Sequence, residues 1–348
     1  MTGTSVAHDS AALHVSGEAR YLDDVAVPAN TLHCAPILST HAHAGLSQVD
    51  WSAVAAAPGV VAVLSVADIT GFELRYQGYD LMFANGEVVY EGQQIGAVVA
   101  TSRRAAQAAA RLASVEYDSR PALITLQDAI DAGSLIQAPY RMARGDAEAA
   151  IDAAPRSLSG SMTLGGQDHF YLEGQAALAI PGEQGAIQVI SSTQHPTEVQ
   201  HVVARVLGVS DHQVDVAVRR LGGGFGGKET QGNYPAAVAA LAAQRLGVPV
   251  KYVMDRDDDM RMTGKRHDFR IDYRVGFDDS GRILGLAVTH HVRCGNSMDL
   301  SSAIADRAMF HADNAYAIEH MAVDSLRYRT HTVSATAFRG FGGPQGMV

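Results

Sequence analysis

The chain has 348 residues, enough for two or three domains, and 47% of them are hydrophobic against 18% charged, the balance of a well-packed globular protein. Its formal charge of −10 argues against nucleic acid or another long anionic polymer as a partner. No run reads as a secretory signal or a membrane span, and two cysteines, Cys34 and Cys294, are too few for an iron–sulfur cluster; they read as reduced core residues of a cytoplasmic chain.

Residues 1–16 read as a polar, loosely held tail. Residues 17–125 mix helix and strand. "THAHAGLSQVD" leads into a helical "WSAVAAAPG", and "VVAVLSV" and "QQIGAVVATS" are strands. "SRRAAQAAARLA" is an amphipathic helix with Ser102 as its N-cap, followed by the strand "SVEYD". Residues 126–148 form a connector with one short helical piece. Residues 149–348 form a second α and β domain. In it, "PTEVQHVVARVLG" is a helix with Pro196 in its first turn and Gly208 beyond its end. A strand at 214–219, a helix near 235–246 and a strand at 249–254 follow. "HDFRIDYRVGF", the turn "DDSG" and "RILGLAVTHHVRCG" make a β-hairpin.

The glycine cluster "LGGGFGGKE" (221–229) invites two nucleotide readings. Gly222, Gly227 and Lys228 fit the start of a P-loop, but Glu229 stands where that loop needs a hydroxyl for magnesium. Gly222, Gly224 and Gly227 fit a dinucleotide fingerprint, but the helix starts too late and the acid, Asp255, lies too far on. His41 and His43 would share one face of a strand, as in zinc hydrolases, yet no second ligand cluster accompanies them. His290 and His291 are adjacent and face opposite ways on a strand. The mixed-charge run "RDDDMRMTGKRHDFR" reads as a solvated face with local ion pairs.

Three segments stand apart: "GGQDHFYLEGQAA" (165–177), "GGGFGGKE" (222–229) and "TAFRGFGGPQGM" (336–347). Each joins glycines, which admit close backbone approach, to a flat aromatic and a hydrogen-bonding side chain. That mixture suits a large planar polar cofactor beside a planar substrate. In this order, and with "SGEARYLDD" and "LHCAPILSTHAHA" before them, they resemble the molybdenum-cofactor subunit of the xanthine dehydrogenase/aldehyde oxidase family. The resemblance spans nearly the whole chain. It implies an α+β fold, an α/β hammerhead domain at 17–125 followed by the first half of a molybdopterin-binding domain at 149–348.

The same resemblance implies roles. Gln167, Phe225, Gly226 and Arg339 would contact molybdopterin. Glu229, Arg307 and Phe341 would bind the substrate. No side chain would ligate molybdenum, which the pterin dithiolene holds. The reaction implied is base-assisted hydroxylation of hypoxanthine or xanthine towards urate, with electrons passing to 2Fe-2S clusters and FAD on a partner chain or domain. Glu229 and Arg307 together favour a purine over an aldehyde, since they can hold the ring at two points. The family's general-base Glu belongs to the second half of the molybdopterin region, after Val348, so this chain is expected to need that half and to be inactive by itself. Oxidation of aldehydes or other N-heterocycles, and a non-catalytic module on the same fold, are the alternatives.

Overall fold

The structure, a computed structural model, describes residues 3–69, 71 and 81–348. Three sheets organise it, in an α+β arrangement. The first has seven strands in the order Val214–Ala217, Ile187–Ser191, Ala176–Pro181, Val250–Val253, Leu32–Leu38, Gln94–Ala100 and Val60–Leu64. Its centre joins distant parts of the chain: Leu32–Leu38 runs parallel to Val250–Val253, with Cys34 opposite Tyr252, and antiparallel to Gln94–Ala100. Lys251 ties this junction to Asp23 at 2.7 Å.

Strand alternation splits the apolar residues between two layers. Cys34, Ala97 and Val99 face a large core under the helices Pro196–Leu207 and Asn233–Leu246, with Val203, Ala240 and Leu241. Ala35, Ile37, Val98 and Ala100 face the helix Arg103–Ala110 on the other side, against Ala106 and Ala109. Gln94–Ala100 is therefore buried on both faces. In the second helix of the large core all eight residues from Ala236 to Ala243 are buried and six of them are alanine, small enough to pack close on the sheet.

The second sheet has five strands: Tyr140–Arg144, His320–Arg329, Ile283–Gly295, Phe269–Phe277 and Arg156–Leu164. The helix Ser301–Phe310 covers one face through Ala305, Ala308 and Met309, packed on Val292 and Val323. A small third sheet holds Glu87–Val88, Ala44–Asp50 and Ser114–Ser119.

The predicted hairpin forms, with Asp278 Oδ1 accepting from the Ser280 and Arg282 amides in its turn. The helix at 196 ends on Gly208 at φ 66°, as its glycine signals. Ser102 caps its helix, its Oγ accepting from the Ala105 amide at 3.2 Å. Ser102→Ala is expected to cost about 1 kcal/mol in urea unfolding; an unchanged midpoint would show that the cap adds nothing to the folded state.

Other segments differ from the sequence reading. "THAHAGLSQVD" contains the strand Ala44–Asp50, and the helix after it is a single turn, Ser52–Ala55. Residues 126–148 supply the helix Leu126–Asp131 and an edge strand, Tyr140–Arg144, paired with His320–Arg329. A short helix, Ala11–Ser16, lies near the start with no buried residue. Val214–Ala217 and Val250–Val253 do not form the adjacent βαβ pair of a dinucleotide site, because two strands lie between them.

Candidate functional site

The glycine loop is built on backbone that only small residues tolerate easily. Phe225 and Gly226 both have positive φ, 54° and 98°. The loop is strapped to residues 193–195. Gln194 Oε1 accepts from the Gly226 amide at 2.8 Å and the Lys228 amide at 3.3 Å, and the Gln194 amide donates to the Lys228 carbonyl at 2.8 Å. Lys228 itself points inward. Its ammonium is fully buried, 2.9 Å from Glu173 Oε2, and the same oxygen accepts from the Gly222 amide at 2.9 Å. Burial pulls the Lys228 pKa down, against the opposing pull of Glu173. A phosphate-binding lysine would be exposed at the loop mouth, so this one is an anchor for the loop.

The three glycine-bearing segments meet here. The Arg339 amide donates to the Phe225 carbonyl at 2.8 Å, and a Cβ on Gly226 would lie 2.7 Å from the Ala337 carbonyl oxygen. The backbones of 222–229 and 336–347 therefore touch directly. From the first segment, His169 Nε2 lies 2.6 Å from the Ala337 carbonyl, and its ring centre lies 4.7 Å from that of Phe338. Burial lowers the pKa of His169, which leaves a neutral ring to pack there.

Gln167 is exposed and does not reach the glycine loop; its Oε1 accepts from Arg266 Nε at 2.8 Å. Arg266 in turn donates to the Arg339 carbonyl at 2.9 Å and lies 3.9 Å over the Phe338 ring. Two other amide side chains lie on the loop: Gln194, and Gln175 of the first segment, whose Nε2 donates to the Gly227 carbonyl at 2.8 Å. Neither Gln194 nor Arg266 stands out in the sequence: one precedes a helix, the other sits inside a charged run.

Glu229 ends the loop half-buried, and burial raises its pKa while His195 opposes the shift. Arg307 is exposed on the helix Ser301–Phe310, where its Nε lies 3.4 Å from His311 Nε2. The nearby carboxylates are engaged elsewhere: Asp306 pairs with Arg327 at 2.5 Å and Asp313 with Arg144 at 2.9 Å. Phe341 introduces a turn, Gly343–Gly346, seated on that same helix. A Cβ on Gly342 would collide with the Ile304 carbonyl oxygen, and one on Gly346 with that of Ala308. The backbone of Gly343 comes close to Arg307, a Cβ there lying 3.9 Å from its Nε.

The histidine pairs serve other ends. His41 stacks on Tyr117 at 4.1 Å and His43 on His331 at 4.0 Å, so the two rings have separate partners. His290 is buried, and His291 bonds to Tyr328 and Asp272. Among the described residues no group of three His, Cys, Asp or Glu is placed to hold a metal, and no helix is long and apolar enough to cross a membrane.

A family model described as molybdopterin cofactor-binding domain matches residues 131–348, and one described as the aldehyde oxidase and xanthine dehydrogenase a/b hammerhead domain matches residues 16–121. The chain belongs to this family. It is 41% identical to the xanthine dehydrogenase/oxidase of Felis catus, across 100% of its own length and 26% of that relative. It is 43% identical to the xanthine dehydrogenase of Oryza sativa, across 99% of its length and 26% of the relative. The chain thus spans about a quarter of the curated relatives it matches. Among solved structures, quinoline 2-oxidoreductase from Pseudomonas putida 86 superposes with a TM-score of 0.88 at 25% identity, covering 98% of this chain and 46% of that one. The aldehyde oxidoreductase of Desulfovibrio gigas shares the fold, with a TM-score of 0.89 at 23% identity over 97% of this chain and 40% of that one. The α+β fold is therefore a hammerhead domain followed by a molybdopterin-binding domain.

The residues present fit such a cofactor. Molybdopterin is large, flat and anionic. Phe225 and the guanidinium of Arg339 are exposed on the face where the glycine segments meet. Arg266 Nη1 is buried there with no hydrogen-bond partner among the described residues. A buried donor of this kind is costly unless a ligand satisfies it.

Proposed function

We propose that these residues form one wall of the active site of a molybdenum hydroxylase that oxidises hypoxanthine or xanthine. The observation that carries this reading is Arg307, an exposed guanidinium beside the Phe341 turn whose two nearby carboxylates are already paired elsewhere. Such a group is available to a ligand. Arg307 donates to a ring oxygen of the purine, Glu229 takes a ring N–H, and Phe341 packs on the ring face. Phe225, Gly226 and Arg339 line the cofactor, with Gln167 supporting the Arg339 backbone through Arg266. When bound, the molybdenum cofactor supplies the oxygen transfer and accepts the electrons.

The 41–43% identity to xanthine dehydrogenases supports the purine assignment over aldehydes. We place the general-base Glu, the 2Fe-2S clusters and the FAD in parts of a cytoplasmic enzyme outside these residues, as partners of this wall.

The test is Arg307→Met in the full-length enzyme. A charge-assisted hydrogen bond is worth roughly 1.5–3 kcal/mol, so kcat/KM for xanthine should fall about 10- to 150-fold. Turnover of a benzaldehyde-type substrate should be kept or improved. Glu229→Val should act in the same direction. Equal losses for both substrates would make Arg307 a support of the fold and end the purine reading.

A further inference from the structure

Residues 166–168 of the first glycine segment are clamped to residues 265–268 of the charged run. The Gly166 amide donates to Asp268 Oδ1, the Arg266 amide donates to the Gln167 carbonyl at 3.0 Å, and Asp168 pairs with Lys265 at 2.8 Å. A Cβ on Gly166 would collide with the Arg266 carbonyl oxygen, so the two backbones touch. This close seating brings two side chains together: Arg266 Nε donates to Gln167 Oε1 at 2.8 Å. We infer that Arg266 is a positioning residue for Gln167: it keeps the amide oxygen turned towards itself, and so presents the amide NH2 to the cofactor as a donor. This rests on the reading of Gln167 as a cofactor contact.

An amide side chain has nearly the same shape either way round, and its hydrogen bonds decide which end points where. A guanidinium has donors and no acceptor. It can take only the oxygen end of Gln167, which leaves the NH2 turned away from it. Gln167 is exposed, and among the described residues its side chain bonds to Arg266 alone. The NH2 is therefore free for a ligand.

Arg266 can enforce this orientation because it is itself fixed. Its guanidinium lies 3.9 Å over the Phe338 ring, which sets its plane. Its Nη2 donates to the Arg339 carbonyl at 2.9 Å, which sets its rotation within that plane. Phe338 in turn packs on the buried His169, with ring centres 4.7 Å apart. A lysine would supply charge and donors without the plane. The bridge thus runs both ways: Gln167 supports the Arg339 backbone through Arg266, and Arg266 orients Gln167. The consequence is a choice of ligand atom. An anionic cofactor offers acceptor oxygens, which an outward NH2 binds and an outward amide oxygen would repel.

The experiment uses the full-length enzyme loaded with its cofactor. Molybdenum and pterin released during dialysis are followed over time, and thermal unfolding of each variant reports any loss of fold. Gln167→Met should speed release about tenfold, the effect of losing one hydrogen bond to a charged group. Arg266→Gln should speed it at least as much, because a glutamine can accept as well as donate and leaves the Gln167 amide free to turn. Arg266→Lys, which still only donates, should fall between the wild type and Arg266→Gln. In the Gln167→Met background, Arg266→Gln should add less than about threefold, since a residue that acts through Gln167 has little left to do once Gln167 is gone. Equal factors in both backgrounds, or Arg266→Lys no better than Arg266→Gln, overturn the inference. Should Arg266→Gln fail to fold, Arg266→Lys in the two backgrounds makes the same comparison. Release from Gln167→Met at the wild-type rate is a different failure: it removes Gln167 from the cofactor site, and the inference falls with that reading.

Discussion

Glu173→Ala should lower stability by about 3–5 kcal/mol in urea unfolding, because it leaves the buried Lys228 ammonium without its counter-charge. Lys228 is fully buried and already strained electrostatically, its pKa pulled down by burial. The Gly222 amide loses its acceptor in the same change. Lys228→Met should cost less. It removes the charge and fills similar volume, while the Glu173 side chain, 13% exposed against 0% for Lys228, keeps the Gly222 amide as a donor. The order of the two variants is the diagnostic. If Lys228→Met is the more damaging, the stranded Glu173 carboxylate and the lost contact with the Tyr171 ring, 4.8 Å away, together outweigh the stranded ammonium.

Gly342→Ala is expected to lift the Phe341–Gly346 turn off its helix. Gly342 has φ 84°, where an L side chain is strained by about 1–3 kcal/mol. Its Cβ would also collide with the Ile304 carbonyl oxygen, a backbone atom that cannot swing aside. Overpacking of this kind adds about 1–3 kcal/mol. The combined loss, about 2–6 kcal/mol by these two estimates, should appear as a lower urea midpoint. On the purine reading, xanthine turnover should fall further than stability explains, because Phe341 moves with the turn. An unchanged midpoint would mean that the turn is not held by the helix.

Local signals carried well from sequence to fold. Ser102, Pro196, Gly208 and the Asp278 turn each act on residues three or four positions away, so their effect is written where they stand. The strands Ala44–Asp50 and Arg156–Leu164 were harder to see. The second does alternate, Leu158, Met162 and Leu164 against Ser157, Ser159, Ser161 and Thr163, but Gly160 interrupts its apolar row and the strand is largely exposed along its length. It is a strand because Phe269–Phe277 pairs with it, a fact of the partner. The candidate site divides in the same way. The glycine segments announce themselves by composition, and the structure brings their backbones together. Gln194 and Arg266 matter through atoms far away in sequence: Gln194 through Gly226 and Arg266 through Arg339. No periodicity marks such residues. Gln167 was conspicuous through its neighbouring glycines, yet in the fold its side chain serves Arg266.

The parallel pairing of Leu32–Leu38 with Val250–Val253 has a kinetic meaning. Those strands sit side by side at the middle of the first sheet, but a ribosome releases them far apart in time. Until Val253 emerges, Leu32–Leu38 has Gln94–Ala100 on one side and an open edge on the other. Closing so long a loop is a slow step, and an unpaired edge invites wrong partners while it lasts. The hammerhead residues therefore cannot complete their own sheet early in synthesis. The first sheet is complete only once Val250–Val253 of the second domain has been made.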